Sequence, residues 1–182
     1  EEEIIAAARD ADAVIGVATF QKFSRRVIQS LPRLRFIMSM GIGYDSLDVA
    51  AATEAGVLAA NVPDYCLEEM SDHVMALILA LTRRVTRLDA MVRAGEWRQE
   101  PDPNIQRNVW PTMSRLRGQT LGLVGLGRVP RALLPKARGF GLRIIASDPY
   151  VDAAVFPSLG VERVDLDGLL RHFGQNPALV GG

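Results

Sequence analysis

Apolar positions near the start of the chain fall into two alternating spacings. Ile4 to Arg9 reads as the end of a helix, and Ala13-Val14-Ile15-Gly16-Val17 as a buried strand. Phe23, Val27, Ile28 and Leu31 recur at helical spacing, and Pro32 ends that helix. Phe36-Ile37-Met38-Ser39-Met40 predicts a second strand, which runs into Gly41-Ile42-Gly43-Tyr44-Asp45. Asp48 to Ala55 reads as a short helix closed by Gly56, and Val57 to Val62 as a third strand stopped by Pro63. Strands and helices alternating at this interval predict a parallel α/β layer.

A long helix is expected from Leu67, with Asp64 as its cap and Glu68 and Glu69 in its first turn, where the helix dipole favours negative charge. Met70, Val74, Leu77, Ile78 and Leu81 share one face, which predicts a core helix between two layers. Arg83 and Arg84 close it, and Leu88, Met91 and Val92 continue a second amphipathic piece to Gly95. Trp97, Pro101, Pro103, Asn104, Asn108, Trp110 and Pro111 then mark an irregular connection. The expected division is a first domain over 1–95, a connection over 96–114 and a second domain over 115–182.

In that second domain, Thr120-Leu121-Gly122-Leu123-Val124 predicts a strand, Gly125-Leu126-Gly127 a tight turn, and the following residues a helix. Leu142 to Ser147 predicts a second strand ending at Asp148, 23 positions after Gly125, where a dinucleotide-binding unit places the carboxylate for the adenosine ribose. The first glycine allows a turn that a Cβ would strain, and the second lets backbone approach a pyrophosphate. Peptide N–H groups opening the helix point at the phosphates, and Arg128 adds a cation. Asp148 accepts from both ribose hydroxyls and repels a 2′-phosphate, which reads as NAD(H) rather than NADP(H).

Two prolines complicate this helix. Pro130 stands where the pattern asks for a third glycine; its missing N–H is harmless in a first turn, but its ring is bulkier against the strand. Pro135 falls in the helix interior, at a cost of about 3 kcal/mol, and predicts a kinked or shortened helix. Beyond Asp148-Pro149-Tyr150, Ala153 to Leu159 reads as a short helix, Val161 to Val164 as extended, and Leu166 to Phe173 as a helix broken by Gly174-Gln175-Asn176-Pro177, with no further strand.

Composition narrows the class. With 48% hydrophobic and 23% charged residues in 182, the chain is globular. The longest apolar stretch, Val74 to Leu81, is too short to cross a bilayer, and a formal net charge of zero gives no nucleic-acid or anionic-membrane surface. The single Cys66 allows no internal disulfide, and no signal peptide is visible, so a reducing cytoplasm is expected. No residue set suggests a metal site.

Several motifs together resemble the D-isomer-specific 2-hydroxyacid dehydrogenase family, which includes phosphoglycerate dehydrogenases and the C-terminal-binding-protein corepressors. They are Gly41 to Asp48, Asn61-Val62-Pro63-Asp64, Asp72-His73, Leu116 to Val129, Phe140-Gly141 and Asp148-Pro149-Tyr150, in that order. The resemblance implies a flavodoxin-like partial substrate domain joined to a partial Rossmann domain, a doubly wound parallel sheet that binds NAD. It implies that the N–H groups of Ile42 and Gly43 hold the carboxylate of a small 2-hydroxy or 2-keto acid. It further implies that Gly125, Leu126, Gly127, Arg128 and Val129 hold the pyrophosphate, that Asp148 holds the ribose, and that the protein is a homodimer.

The resemblance further implies an Arg, a Glu and a proton-exchanging His, all expected downstream of the point where this chain ends, so no catalytic residue is assigned. His73 and His172 are expected to be structural, and Met70 replaces a Thr that corepressor-like relatives place near the cofactor. The expectation is therefore a truncated or frameshifted relative with half of its nucleotide-binding sheet. Its function is NAD-dependent hydride transfer by descent; the alternatives are a non-catalytic NAD(H)-binding corepressor-like module and an inactive remnant.

Overall fold

Residues 1–65 alternate short helices with strands, and the three strands line up in chain order as a parallel sheet. A computed structural model describes residues 1–17, 20–96, 103–175 and 179–181 of the chain. The chain divides into two compact units, Glu1–Tyr65 and Cys66–Gly182. In the first, α1 (Glu2–Ala8), β1 (Ala13–Gly16), α2 (Arg25–Gln29), β2 (Phe36–Ser39), α3 (Val49–Glu54) and β3 (Leu58–Ala60) follow one another. Asp48 caps α3 by accepting from the Ala51 N–H at 2.8 Å, which satisfies one of the donors a helix start leaves unpaired. Phe23, Val27, Ile28, Ile37, Leu47 and Ala52 form this unit's core.

The second unit begins with α4 (Leu67–Thr82), α5 (Val85–Arg93) and α6 (Pro103–Asn108). It then forms a four-stranded parallel sheet from β4 (Thr120–Val124), β5 (Arg143–Ser147), β6 (Glu162–Arg163) and β7 (Leu179–Gly181). Helices α7 (Arg128–Gly139), α8 (Val155–Ser158) and α9 (Leu166–Gln175) connect them. The order is β6-β5-β4-β7. The chain thus winds to one side of β4 and then restarts on the other, and such a switch point opens a crevice at the carboxyl ends of the strands. The expected α/β class with parallel sheets holds in both units.

Several details depart from the sequence expectation. The sequence predicts no strand after the helix from Leu166, yet β7 pairs in parallel with β4, Leu121 opposite Leu179 and Leu123 opposite Gly181. The compact units part between Tyr65 and Cys66, ahead of the connection expected over 96–114, and α4 packs on α7 within the second unit. Of the expected irregular connection, residues 97–102 lie outside the described residues, and the remainder forms α6 and a 3₁₀ turn at Trp110–Thr112. Asp64 does not cap α4; Cys66 takes that place with φ 59 and no side-chain hydrogen bond.

The buried face of α4 is also rotated from the expected one. Ser71, Met75, Ile78 and Thr82 are buried, while Met70, Leu77 and Leu81 are 46%, 51% and 62% exposed. The reason lies on α7. Its Lys136 donates to the Ser71 hydroxyl at 2.7 Å, to the Glu68 carbonyl at 3.0 Å and to the Asp72 carboxylate at 2.6 Å. The side of α4 that faces α7 is the one turned inward, with Met75 and Ile78 joining Leu133, Leu134 and Ala137 in one core and Lys136, which also pairs with the Glu68 carboxylate at 2.9 Å, at its edge.

Pro135 neither shortens nor breaks α7, which runs through it to Gly139. Its ring is exposed, so the Arg131 carbonyl it leaves unpaired inside the helix can be hydrated, and Leu133, Leu134 and Ala137 hold the helix from the other side. Replacing Pro135 by Ala is expected to restore that bond and raise unfolding stability by about 1 to 3 kcal/mol. Urea denaturation measures it, and an unchanged midpoint would show that the helix bears no cost there.

Candidate dinucleotide and carboxylate sites

β4 delivers the chain to Gly125, whose φ of +92 belongs to the region only glycine enters freely. Its N–H donates to the Ser147 carbonyl at 2.7 Å, tying the end of β4 to the end of β5. Leu126 is fully buried and anchors the turn in the core of the second unit. Its peptide is held on both sides: the N–H donates to Asp148 Oδ2 at 2.7 Å, and the carbonyl accepts from Arg131 Nε at 2.9 Å.

Gly127 follows as the N-cap of α7, and a Cβ there would meet no atom within 4 Å. The Arg131 N–H to Gly127 carbonyl bond of 3.1 Å is the first of the helix. The N–H groups of Gly127, Arg128 and Val129 therefore have no acceptor among the described residues, as expected of a first turn. Pro130 contributes none, so the cradle offers three donors where a non-proline residue would make four. It is half-buried and fits within the first turn of α7.

Asp148 sits at the end of β5. Besides the Leu126 N–H it accepts from the N–H groups of Tyr150 at 2.8 Å and Val151 at 3.2 Å. These bonds favour the charged form, and the Leu126 bond foremost holds the carboxyl below the usual aspartate range. A pocket of about 730 Å³ opens beside it, lined among others by Val124, Gly125, Asp148, Pro149, Arg163 and Val164. Gly125 and Asp148 line this pocket, Gly127 and the start of α7 follow directly on the turn, and an added Cβ at Gly125 or Gly127 would meet no atom within 4 Å.

In the first unit the loop after β2 is shaped differently. Its carbonyls are occupied: Gly41 accepts from the Val62 N–H at 3.0 Å, Ile42 from Asn61 Nδ2 at 2.8 Å and Gly43 from the Ser39 hydroxyl at 2.8 Å. The N–H groups of Ile42 and Gly43 have no acceptor among the described residues. A loop whose carbonyls are tied back and whose donors face out is suited to an anion. Ser39 and Asn61 were not singled out as site residues from the sequence. The available signal is that Asn61 opens the Asn61-Val62-Pro63-Asp64 motif, just after the strand beside this loop.

The histidines stand apart. His73 is exposed on α4, and His172 Nε2 lies 3.4 Å from Arg143 Nη2, at the end of β5 opposite Asp148. Among the described residues no group of three or more His, Cys, Asp or Glu could hold a metal ion.

The family model for the D-isomer specific 2-hydroxyacid dehydrogenase catalytic domain matches residues 1–156. The chain belongs to that family. It is 36% identical over 165 residues to the D-3-phosphoglycerate dehydrogenase of Methanocaldococcus jannaschii, covering 91% of this chain and 30% of the relative. It is 34% identical over 166 residues to the glyoxylate reductase of Thermococcus litoralis, covering 90% and 48%. A crystal structure from Polaromonas sp., described as a D-isomer specific 2-hydroxyacid dehydrogenase, NAD-binding, superposes with a TM-score of 0.77 at 32% identity, covering 93% and 51%. The chain thus spans between about a third and a half of these family members.

Asp148 generates a pH prediction. Because its folded pKa is depressed, the stability it contributes is complete above the unfolded value of about 3.9 and is lost as pH falls through the folded value. Carbon NMR of the carboxyl should place its midpoint below 3.9, and Asp148→Asn should remove that share of the acid-side loss. A midpoint at or above the ordinary value would contradict the three-bond geometry.

Proposed function

We propose that this chain carries the NAD(H)-holding and substrate-carboxylate-holding parts of a D-2-hydroxyacid dehydrogenase, an oxidoreductase acting between a small 2-hydroxy acid and its 2-keto acid. The observation that carries the reading is the joined geometry of Gly125, Leu126 and Asp148, where the carboxylate at the end of β5 holds the glycine turn that leads into the helix-opening donors, beside a pocket lined by Gly125 and Asp148. The N–H groups of Gly127, Arg128 and Val129 would hold the pyrophosphate, the Arg128 side chain would add charge, and Asp148 would take the adenosine ribose. The N–H groups of Ile42 and Gly43 would hold the substrate carboxylate. When bound, the dinucleotide supplies or accepts the hydride.

The preference for NAD(H) over NADP(H) rests on Asp148, whose charge persists at any physiological pH. The family and the NAD-binding relative from Polaromonas support the same cofactor. The functional division proposed is a substrate part followed by a nucleotide part, as the two units suggest.

We place the protein in the cytoplasm, on its single cysteine and the absence of a disulfide. No described helix is long and apolar enough to cross a membrane. A homodimer is the assembly proposed. Leu77, Leu81, Val85 and Val92 on α4 and α5 are each more than half exposed, and α5 buries no residue of its own. A second copy of this chain would cover that surface.

The test is a thermal-shift titration of the folded chain with NADH, with NADPH alongside. Ligand at about a hundred times Kd adds about 2.7 kcal/mol to the stability of the form that binds it. A shift with NADH and a much smaller one with NADPH is the expected result. No shift with either, from a protein that melts cooperatively, would reject the reading.

A further inference from the structure

The pocket beside the glycine turn is lined by a guanidinium that, among the described residues, is paired with no anion. Arg163 closes β6 and lines the same pocket as Gly125 and Asp148. Its Cζ lies over the Phe156 ring, 5.4 Å from the centroid, and Phe156 is fully buried. One side of the guanidinium is therefore braced on a ring that the core holds still. The neighbouring Glu162 carboxylate is turned to Arg143, at 3.7 Å. Among the described residues Arg163 makes no hydrogen bond and no ion pair, although it is exposed beside an ionised Asp148 pocket wall.

A guanidinium is planar and weakly hydrated, so it stacks on aromatic faces as well as pairing with anions. Two ligand groups could therefore meet it: a flat heterocycle or a phosphate. The rest of the pocket decides between them. Val124, Pro149, Val164 and Leu166 give it apolar walls, and Asp148 sets a negative charge among them. A phosphate would have to sit in the same pocket as that carboxylate; a neutral ring would not be repelled.

We propose that Arg163 is the platform on which the adenine ring of the dinucleotide stacks, with Phe156 behind it, so that this side chain sets affinity for the adenosine half of the ligand. The inference rests on the nucleotide reading above and adds a residue to it. Phe156, Arg163 and adenine would form a three-layer stack, and the ribose would then lie toward Asp148.

The experiment titrates the whole chain and its Arg163→Ala and Arg163→Lys variants with NADH, NADPH and ADP. The Ala variant should lose about three- to tenfold in affinity for NADH and for ADP by the same factor, because ADP contains the stacked ring and lacks the nicotinamide. The Lys variant should be nearly as weak as Ala, since an ammonium keeps the charge and loses the flat face. Unligated melting temperatures of the variants matching the parent confirm that the loss is a binding effect, as the side chain is exposed. Unchanged affinity in the Ala variant overturns the inference while leaving the nucleotide reading intact. Recovery by Lys, or a loss larger for NADPH than for NADH, overturns it in favour of a charge contact. A parent chain that binds none of the three ligands rejects the nucleotide reading and this inference together.

Discussion

The carboxylate of Asp148 joins the start of one crossover to the start of the next, at the carboxyl ends of β4 and β5. By accepting from the Leu126 N–H it ties the turn after β4 to the end of β5, and by accepting from Tyr150 and Val151 it also shapes the turn that follows it. Leu126 is the point on which this depends, because its side chain is locked in the core and its peptide is gripped by Asp148 on one side and Arg131 on the other. A glycine at φ +92 next to such a residue is not a loose hinge; it is a conformation imposed by its neighbours. The donors that open α7 point outward because the peptide before them cannot turn.

The two units meet the same requirement by different means. In the second, an anion is offered the start of a helix, whose first N–H groups are unpaired by construction. In the first there is no such helix start at Ile42 and Gly43, so Ser39, Asn61 and Val62 take up the three carbonyls and leave the donors outside. Both arrangements supply backbone donors and require little from side-chain charge, which accords with the chain's formal neutrality.

What could be read from the sequence was whatever depends on neighbours along the chain. The strand, the Gly125-Leu126-Gly127 turn, the helix and the strand ending at Asp148 are a local grammar, and the structure brings them together as expected. The inward face of α4 was not legible in this way. Leu77 and Leu81 are more apolar than Ser71 and Thr82, yet the latter pair is buried, because they share the side of α4 that packs on α7, a helix far away in the sequence. β7 escaped notice because its Leu179 and Val180 are only two apolar residues followed by glycines, and it becomes a strand through pairing with β4. Asn61 needed the fold to show that its amide reaches back to the Ile42 carbonyl across a loop.

The two prolines in α7 carry a consequence for the order in which the site comes into being. A twelve-residue helix is marginal alone even with good helix formers, and one containing Pro130 and Pro135 has little helical tendency before it finds its sheet. Its Leu133, Leu134 and Ala137 must first be covered, and Arg131 must first reach Leu126. The anion cradle is thus a product of tertiary assembly rather than of local sequence. An anion that occupies it adds to the core packing that keeps this segment helical, so ligand and core are joined in one equilibrium.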